Sequence, residues 1–193
     1  MIIRLAIMAS GNGSNAQRIM EHFSAHSSVR VALVLSNNPE ALVLGRAGKM
    51  HVPAVIFNRN DFYHTQHVLD LLSIQGIDWI ILAGFLWLIP SNILTYYPGR
   101  IINIHPALLP KYGGKGMYGM KVHETVIQNG DTESGITIHY VNEKYDEGQV
   151  LFQARCPLTR EDTPDSLASK IHELEYRWFP EIIESVIRHP PSV

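Results

Sequence analysis

Short apolar runs alternate with amphipathic stretches along the first half of the chain, and this alternation predicts strands that reach parallel neighbours through helical crossovers. Ile2–Met8 reads as a first strand, Asn15–Phe23 as a helix, Val29–Leu35 as a strand, Glu40–Met50 as a helix and Val52–Phe57 as a third strand. His64–Gln75 follows as a helix, Trp79–Leu82 as a strand, Ser91–Tyr96 as a short helix and Arg100–Ile104 as a strand. The pattern then changes. Lys111–Met120 holds four glycines and reads as a loop, followed by a helix near Lys121–Asn129. Ile136–Val141 and Val150–Ala154 read as strands joined by the polar turn Asn142–Gly148, the form of an antiparallel hairpin. Pro164–Arg188 closes the pattern as a helix, because Leu167, Ile171, Leu174, Trp178, Ile182, Ile183 and Val186 recur near the 3.6-residue period. The expected fold class is α/β: a Rossmann-like, mostly parallel sheet with helices on both faces and a C-terminal antiparallel hairpin.

Length changes this picture little, since 193 residues suit one compact domain and no repeat or low-complexity linker divides them. One domain over 1–193 is expected, with a phosphate- or nucleotide-binding half to about residue 100 and a catalytic half from about 101. Charge excludes more. A net charge of −2 with no long run of one sign leaves no electrostatic footprint for nucleic acid or an anionic membrane. The apolar N-terminus is too short for a signal peptide, and no apolar stretch approaches the roughly 18 residues of a membrane span. The expectation is a cytoplasmic protein, monomer or homodimer, with small-molecule partners. Cys156 is the only cysteine, which excludes an internal disulfide and a Cys-rich metal site. The ten histidines are dispersed, and His22/His26 and His64/His67 lack a partner acid or cysteine at ligand spacing, so no metal is expected.

Three segments carry candidate chemistry. Ser10-Gly11-Asn12-Gly13-Ser14-Asn15 follows the first strand and opens a helix, where backbone N–H groups and the helix dipole make an anion site. It is not the dinucleotide fingerprint, since Ala16 stands where the third glycine belongs, nor a P-loop, since no Gly-Lys-Ser/Thr follows. A mononucleotide or sugar monophosphate fits; the alternative is a plain helix start capped by Ser14. Asn103 and His105 end a predicted strand, two residues apart and therefore on one face, where open α/β sheets bind ligands. An amide and an imidazole aimed into one cleft can hold a carbonyl and manage its proton; the alternative is a buried strand histidine satisfied by hydrogen bonds. Asp146 lies in the hairpin turn. Such aspartates are ordinarily solvated, but a turn folded over the sheet would bring a carboxylate to favour imidazolium at His105.

Taken together, these segments resemble the folate-dependent formyltransferases. The match runs through the 10–15 loop, Leu82-Ala83-Gly84-Phe85, the Asn103-Ile104-His105-Pro106-Ala107-Leu108-Leu109-Pro110 stretch, and Ser134-Gly135-Ile136-Thr137-Ile138-His139 on to Asp146-Glu147-Gly148. The Asn-x-His-Pro-x-Leu-Leu-Pro stretch with a downstream Asp-x-Gly marks folate formyltransferases and hydrolases as a group, and the glycine loop narrows it to the phosphoribosylglycinamide formyltransferase family. The resemblance implies a formyltransferase fold in which Gly13, Ser14 and Asn15 hold the ribotide phosphate and Glu175 contacts the acceptor. It implies that Leu86, Trp87, Leu88 and Ile89, with Asn142, Glu143, Lys144 and Tyr145, line a folate pocket, which makes the later half folate-binding as well as catalytic. Asn103, His105 and Asp146 would carry the chemistry, with protonated His105 stabilising an oxyanion and Asp146 keeping it charged. The donor would be 10-formyltetrahydrofolate, with no metal, and the pathway de novo purine biosynthesis. The chain departs from the family at Trp87, where many relatives have arginine, at Asn60, at His172 and across Gly113–Met120. The competing readings are another folate formyl-group enzyme, such as formyltetrahydrofolate hydrolase or a methionyl-tRNA or sugar-nucleotide formyltransferase, and a non-catalytic Rossmann-like binding module.

Overall fold

The computed structural model describes residues 2–189, so the expected outer limits of the domain, residue 1 and residues 190–193, lie outside the described residues. The strands are β1 (Ile3–Met8), β2 (Val29–Ser36), β3 (Ala54–Ile56), β4 (Trp79–Leu82), β5 (Ile101–His105), β6 (Glu133–Tyr140) and β7 (Val150–Pro157). The helices are α1 (Ser14–Phe23), α2 (Leu42–Lys49), α3 (Arg59–Tyr63), α4 (His67–Ile74), α5 (Ser91–Tyr96), α6 (Met120–Gln128) and α7 (Pro164–Arg188). The strands form one mostly parallel sheet in the order β3-β2-β1-β4-β5-β6-β7, with β6 and β7 antiparallel. The described chain divides within β5 into two compact units, residues 2–102 and 103–189.

In the first unit the continuous apolar runs of β1 and β2 are almost entirely buried, which is what a central parallel strand covered on both faces requires. β1 pairs with β2 on one side and β4 on the other, in parallel register, and α1 and α2 pack against each other and on β2. In the second unit α7 lies on β6 and β7 and packs against α6. Its core includes Ile136, Ile138, Leu167, Ile171, Phe179 and Ile183, all fully buried. Each contributes about 1.5–3 kcal/mol by leaving water. Thr163 and Ser166 form a capping box at the start of α7, with Pro164 in its first turn.

Where elements differ from expectation, local polar chemistry decides. The single helix expected over His64–Gln75 is two, because Asn58 and Asp61 cap an earlier start at Arg59. The Thr65 hydroxyl then donates to the Asp61 carbonyl and accepts from the His67 amide, which breaks the ladder between them. β6 begins at Glu133, three residues earlier than expected. Glu133, Ser134 and Gly135 are polar or small, yet they pair with Pro157, Cys156 and Arg155 of an equally extended β7. β5 runs one residue further than expected, to His105. Among the described residues no helix is long and apolar enough to cross a membrane.

Candidate active site

β5 presents Asn103 and His105 two residues apart at its carboxyl end. His105 is 4% exposed, and its Nε2 lies 2.7 Å from the Tyr112 carbonyl oxygen. A carbonyl only accepts, so Nε2 carries a proton. The Nδ1 atom lies 3.5 Å from Asp146 Oδ2. Asn103 Nδ2 is 3.0 Å from His139 Nε2 and 3.5 Å from Asp146 Oδ1. His139 Nδ1 faces its neighbour Tyr140's carbonyl at 2.7 Å and must donate there; in the neutral ring Nε2 then accepts from the Asn103 amide, and in the protonated ring it faces Asp146 Oδ1, 3.6 Å away. The three candidate residues therefore come together, and His139, which sequence reasoning did not select, fixes how the Asn103 amide is turned.

Asp146 reaches this position because the turn after β6 folds back tightly. Asp146 is left-handed, with φ 57°, and the Gly114 amide donates to its Oδ2 at 2.9 Å. A side chain at Gly148 would place Cβ 1.6 Å from the Tyr140 oxygen and 3.4 Å from His139 Nδ1, so only glycine admits this close approach. The strongest bond to Asp146 is thus a backbone amide, while its contacts to Asn103 and His105 lie at the outer limit of hydrogen bonding.

Burial pulls the His105 pKa below its ordinary value; it outweighs the Asp146 charge and the Tyr112 carbonyl, which both favour imidazolium. Asp146 therefore acts in the expected direction, favouring imidazolium at His105, and it does so against a larger opposing effect of desolvation. For Asp146 the balance is reversed. Burial pushes its carboxyl up, but the His139 contact, the His105 charge and the Gly114 amide hold it below the usual carboxylate value. His123, on α6, is buried with no hydrogen-bond partner at Nδ1, and burial with His172 and His105 nearby lowers its pKa to about 4.

The glycine loop belongs to the first unit. Gly13 (φ 74°) is the residue before α1, Ser14 is the first helical residue, and no side chain caps the helix. The alternative of a Ser14 cap is therefore not what forms. No acidic residue lies in the first turn of α1, and the first amides of a helix have no partner within it. A Cβ on Gly13 would lie 2.5 Å from Val43 Cβ, so close packing against α2 requires glycine here. Arg46 of α2 binds the loop from outside: Nε donates to the Asn12 carbonyl at 2.8 Å, Nη2 to Asn12 Oδ1 at 2.6 Å and Nη1 to Gln17 Oε1.

Among the other expected residues, Leu86 is exposed, Trp87 and Leu88 half-buried and Ile89 buried. The Leu86 amide donates to Ser10 Oγ at 3.0 Å and the Leu88 carbonyl accepts from Tyr63 Oη at 2.9 Å. Trp87 sits in a cluster with Phe57, Phe62, Tyr63 and Phe85, and the Arg59 guanidinium lies 5.7 Å from its ring centre. In the second unit Asn142, Glu143 and Lys144 are exposed, Tyr145 is half-buried and Glu175 is buried on α7. No group of three or more His, Cys, Asp or Glu side chains suited to a metal ion occurs among the described residues.

Residues 3–183 match the family model described as formyl transferase. The chain is 38% identical to a chloroplastic phosphoribosylglycinamide formyltransferase of Arabidopsis thaliana, over 95% of this chain and 65% of that protein. It is 34% identical to the phosphoribosylglycinamide formyltransferase of Haemophilus influenzae, over 94% of this chain and 85% of the relative. The crystal structure of the phosphoribosylglycinamide formyltransferase from Anaplasma phagocytophilum superposes with a TM-score of 0.89 at 33% identity, covering 98% of this chain and 88% of that one. The chain thus spans just under two thirds of the plant relative and most of the two bacterial ones. Fold, motif and similarity converge, and the chain belongs to the formyl transferase family, among its phosphoribosylglycinamide formyltransferases.

Proposed function

We propose that this chain transfers the formyl group of 10-formyltetrahydrofolate to the amine of 5-phosphoribosylglycinamide, giving formylglycinamide ribotide and tetrahydrofolate in de novo purine biosynthesis. The observation that carries this reading is the Asn103–His139–Asp146–His105 cluster at the end of β5, in which the two histidines are buried and Asn103 and Asp146 half-buried. With Nε2 protonated toward Tyr112 and the imidazolium disfavoured by burial, resting His105 offers the lone pair of Nδ1. As the acceptor amine attacks the formyl carbon, Nδ1 takes its proton, and the imidazolium that forms is stabilised by Asp146. The long second contact of the Asn103 amide lets that N–H turn to the oxyanion as it develops. The carbon–N10 bond then breaks, and the proton held at Nδ1 passes to the leaving nitrogen.

In this reading Gly13, Ser14 and Asn15 bind the ribotide phosphate through backbone amides at the start of α1, and Glu175 contacts the acceptor. Leu86–Ile89 and residues 142–145 line the folate site. Arg59 over Trp87 offers a cation beside an aromatic wall, suited to a ligand with an aromatic body and an anionic end. The setting is cytoplasmic, with small molecules as partners and no metal in the chemistry. The test is an absorbance assay with 10-formyl-5,8-dideazafolate as donor. Loss of the formyl group that depends on glycinamide ribotide is expected. Turnover without the ribotide would make the protein a hydrolase, and no turnover under either condition would leave a binding module.

A further inference from the structure

The peptide planes of the glycine loop are oriented from the α2 side. The Gly11 carbonyl accepts from the Val43 amide at 3.2 Å, and the Asn12 carbonyl accepts from Arg46 Nε at 2.8 Å. A trans peptide plane points its C=O and N–H in opposite directions. Pinning these two carbonyls toward α2 therefore turns the amides of Asn12 and Gly13 to the other side of the loop. Successive amides presented in this way make a concave anion site.

Arg46 does this with all three groups of its fork, on Asn12 O, Asn12 Oδ1 and Gln17 Oε1. Every one of these acceptors is a neutral oxygen. Among the described residues no carboxylate pairs with the guanidinium, so its charge stays uncompensated beside the loop. Lysine would keep the charge but lose the planar fork that sets the Asn12 plane.

We propose that Arg46 is a positioning residue for the acceptor's phosphate: it holds the Asn12 peptide so that the Asn12 and Gly13 amides face the anion. The inference rests on the reading of the glycine loop as the phosphate site. The experiment measures steady-state kinetics for wild type, Arg46→Gln, Arg46→Lys and Asn12→Ala with two acceptors, glycinamide ribotide and the same compound lacking its phosphate. Both Arg46 variants should raise KM for the ribotide about tenfold or more, the scale of a lost charge-assisted hydrogen bond. Folate KM and kcat should stay within about twofold, thermal midpoints should be unchanged, and kcat/KM for the acceptor without phosphate should match wild type. Asn12→Ala, which keeps the pinned carbonyl, should lose less than either Arg46 variant.

Equal losses on both acceptors, a loss confined to kcat, or a lysine variant indistinguishable from wild type would each overturn the positioning role. If wild type itself does not favour the phosphorylated acceptor, the loop is not the phosphate site, and the reading beneath this inference falls with it. A wild type that favours the phosphate together with Arg46 variants that retain the full preference overturns the inference alone.

Discussion

At the glycine loop the groups proposed to act are backbone amides, whereas at the end of β5 they are side chains, and the two candidate sites are held by opposite means. The loop is half-exposed and its shape is imposed by α2, through Val43 and Arg46. The β5 cluster is built round two buried histidines and its shape is imposed by backbone: the carbonyls of Tyr112 and Tyr140 and the amide of Gly114. A backbone site is sensitive to conformation and indifferent to most side chains. A side-chain site is sensitive to chemical identity at positions where the backbone is well fixed.

The largest effects should therefore come from changing identity in the cluster. Asn103→Ala and His105→Ala should each slow turnover roughly 10²-fold or more with the fold intact by circular dichroism. The double variant should be little worse than either, since groups acting on one transition state are not additive; multiplicative losses would separate the two residues. Asp146→Asn should cost less, about tenfold, because it removes stabilisation of the imidazolium but not the base itself. It also removes a charge that raises the His105 pKa, so the acid limb of the rate–pH profile should move to lower pH. An unmoved limb, or one that moves upward, would uncouple Asp146 from His105.

At the loop, Gly13→Ala should destabilise the protein by about 1–3 kcal/mol in denaturant titrations, the scale of a non-glycine residue held left-handed, with the Val43 clash added. Conformation, not lost chemistry, would then be the cause. The contribution of His123 is confined to acid and should not be felt at neutral pH. Its folded pKa of about 4 lies below the ordinary 6.5, so the unfolded chain takes up the proton first. Stability should be complete above pH 6.5 and decline as pH falls to about 4. His123→Leu should flatten that part of the stability–pH curve. Dialysis against a strong chelator should change the rate not at all.

Much of this was legible because it rests on period and spacing. The two-residue step from Asn103 to His105 set them on one face, and the glycines of 10–15 announced a loop opening a helix. The Asp146 contact could not be read the same way, because closure of the turn depends on the approach of Gly148 to the Tyr140 oxygen. Tyr112 and Gly114 act through a carbonyl and an amide, which every residue possesses, so no side-chain type marked them. His139 did carry a signal, since it is the last but one residue of an alternating strand just before the acidic turn. Arg46 carried none, because its role depends on which helix lies beside the loop. The net direction at His105 was likewise hidden, since burial of 96% of its surface cannot be seen from its neighbours in sequence.

Thr137, fully buried on β6, donates to the Ala107 carbonyl at 2.7 Å and accepts from the Leu109 amide at 3.0 Å and from Gln153 Nε2 at 2.9 Å. Gln153 Nε2 also reaches the Leu109 carbonyl at 3.0 Å. One hydroxyl thus fastens the chain leaving His105 to the β6–β7 ladder. In hydrogen–deuterium exchange the Leu109 amide should behave as a sheet amide, releasing its proton only when β6 and β7 part. The segment that follows His105, the proposed base, should then share the opening free energy of the β6–β7 pair, so that exchange at Leu109 reports on the persistence of the candidate site.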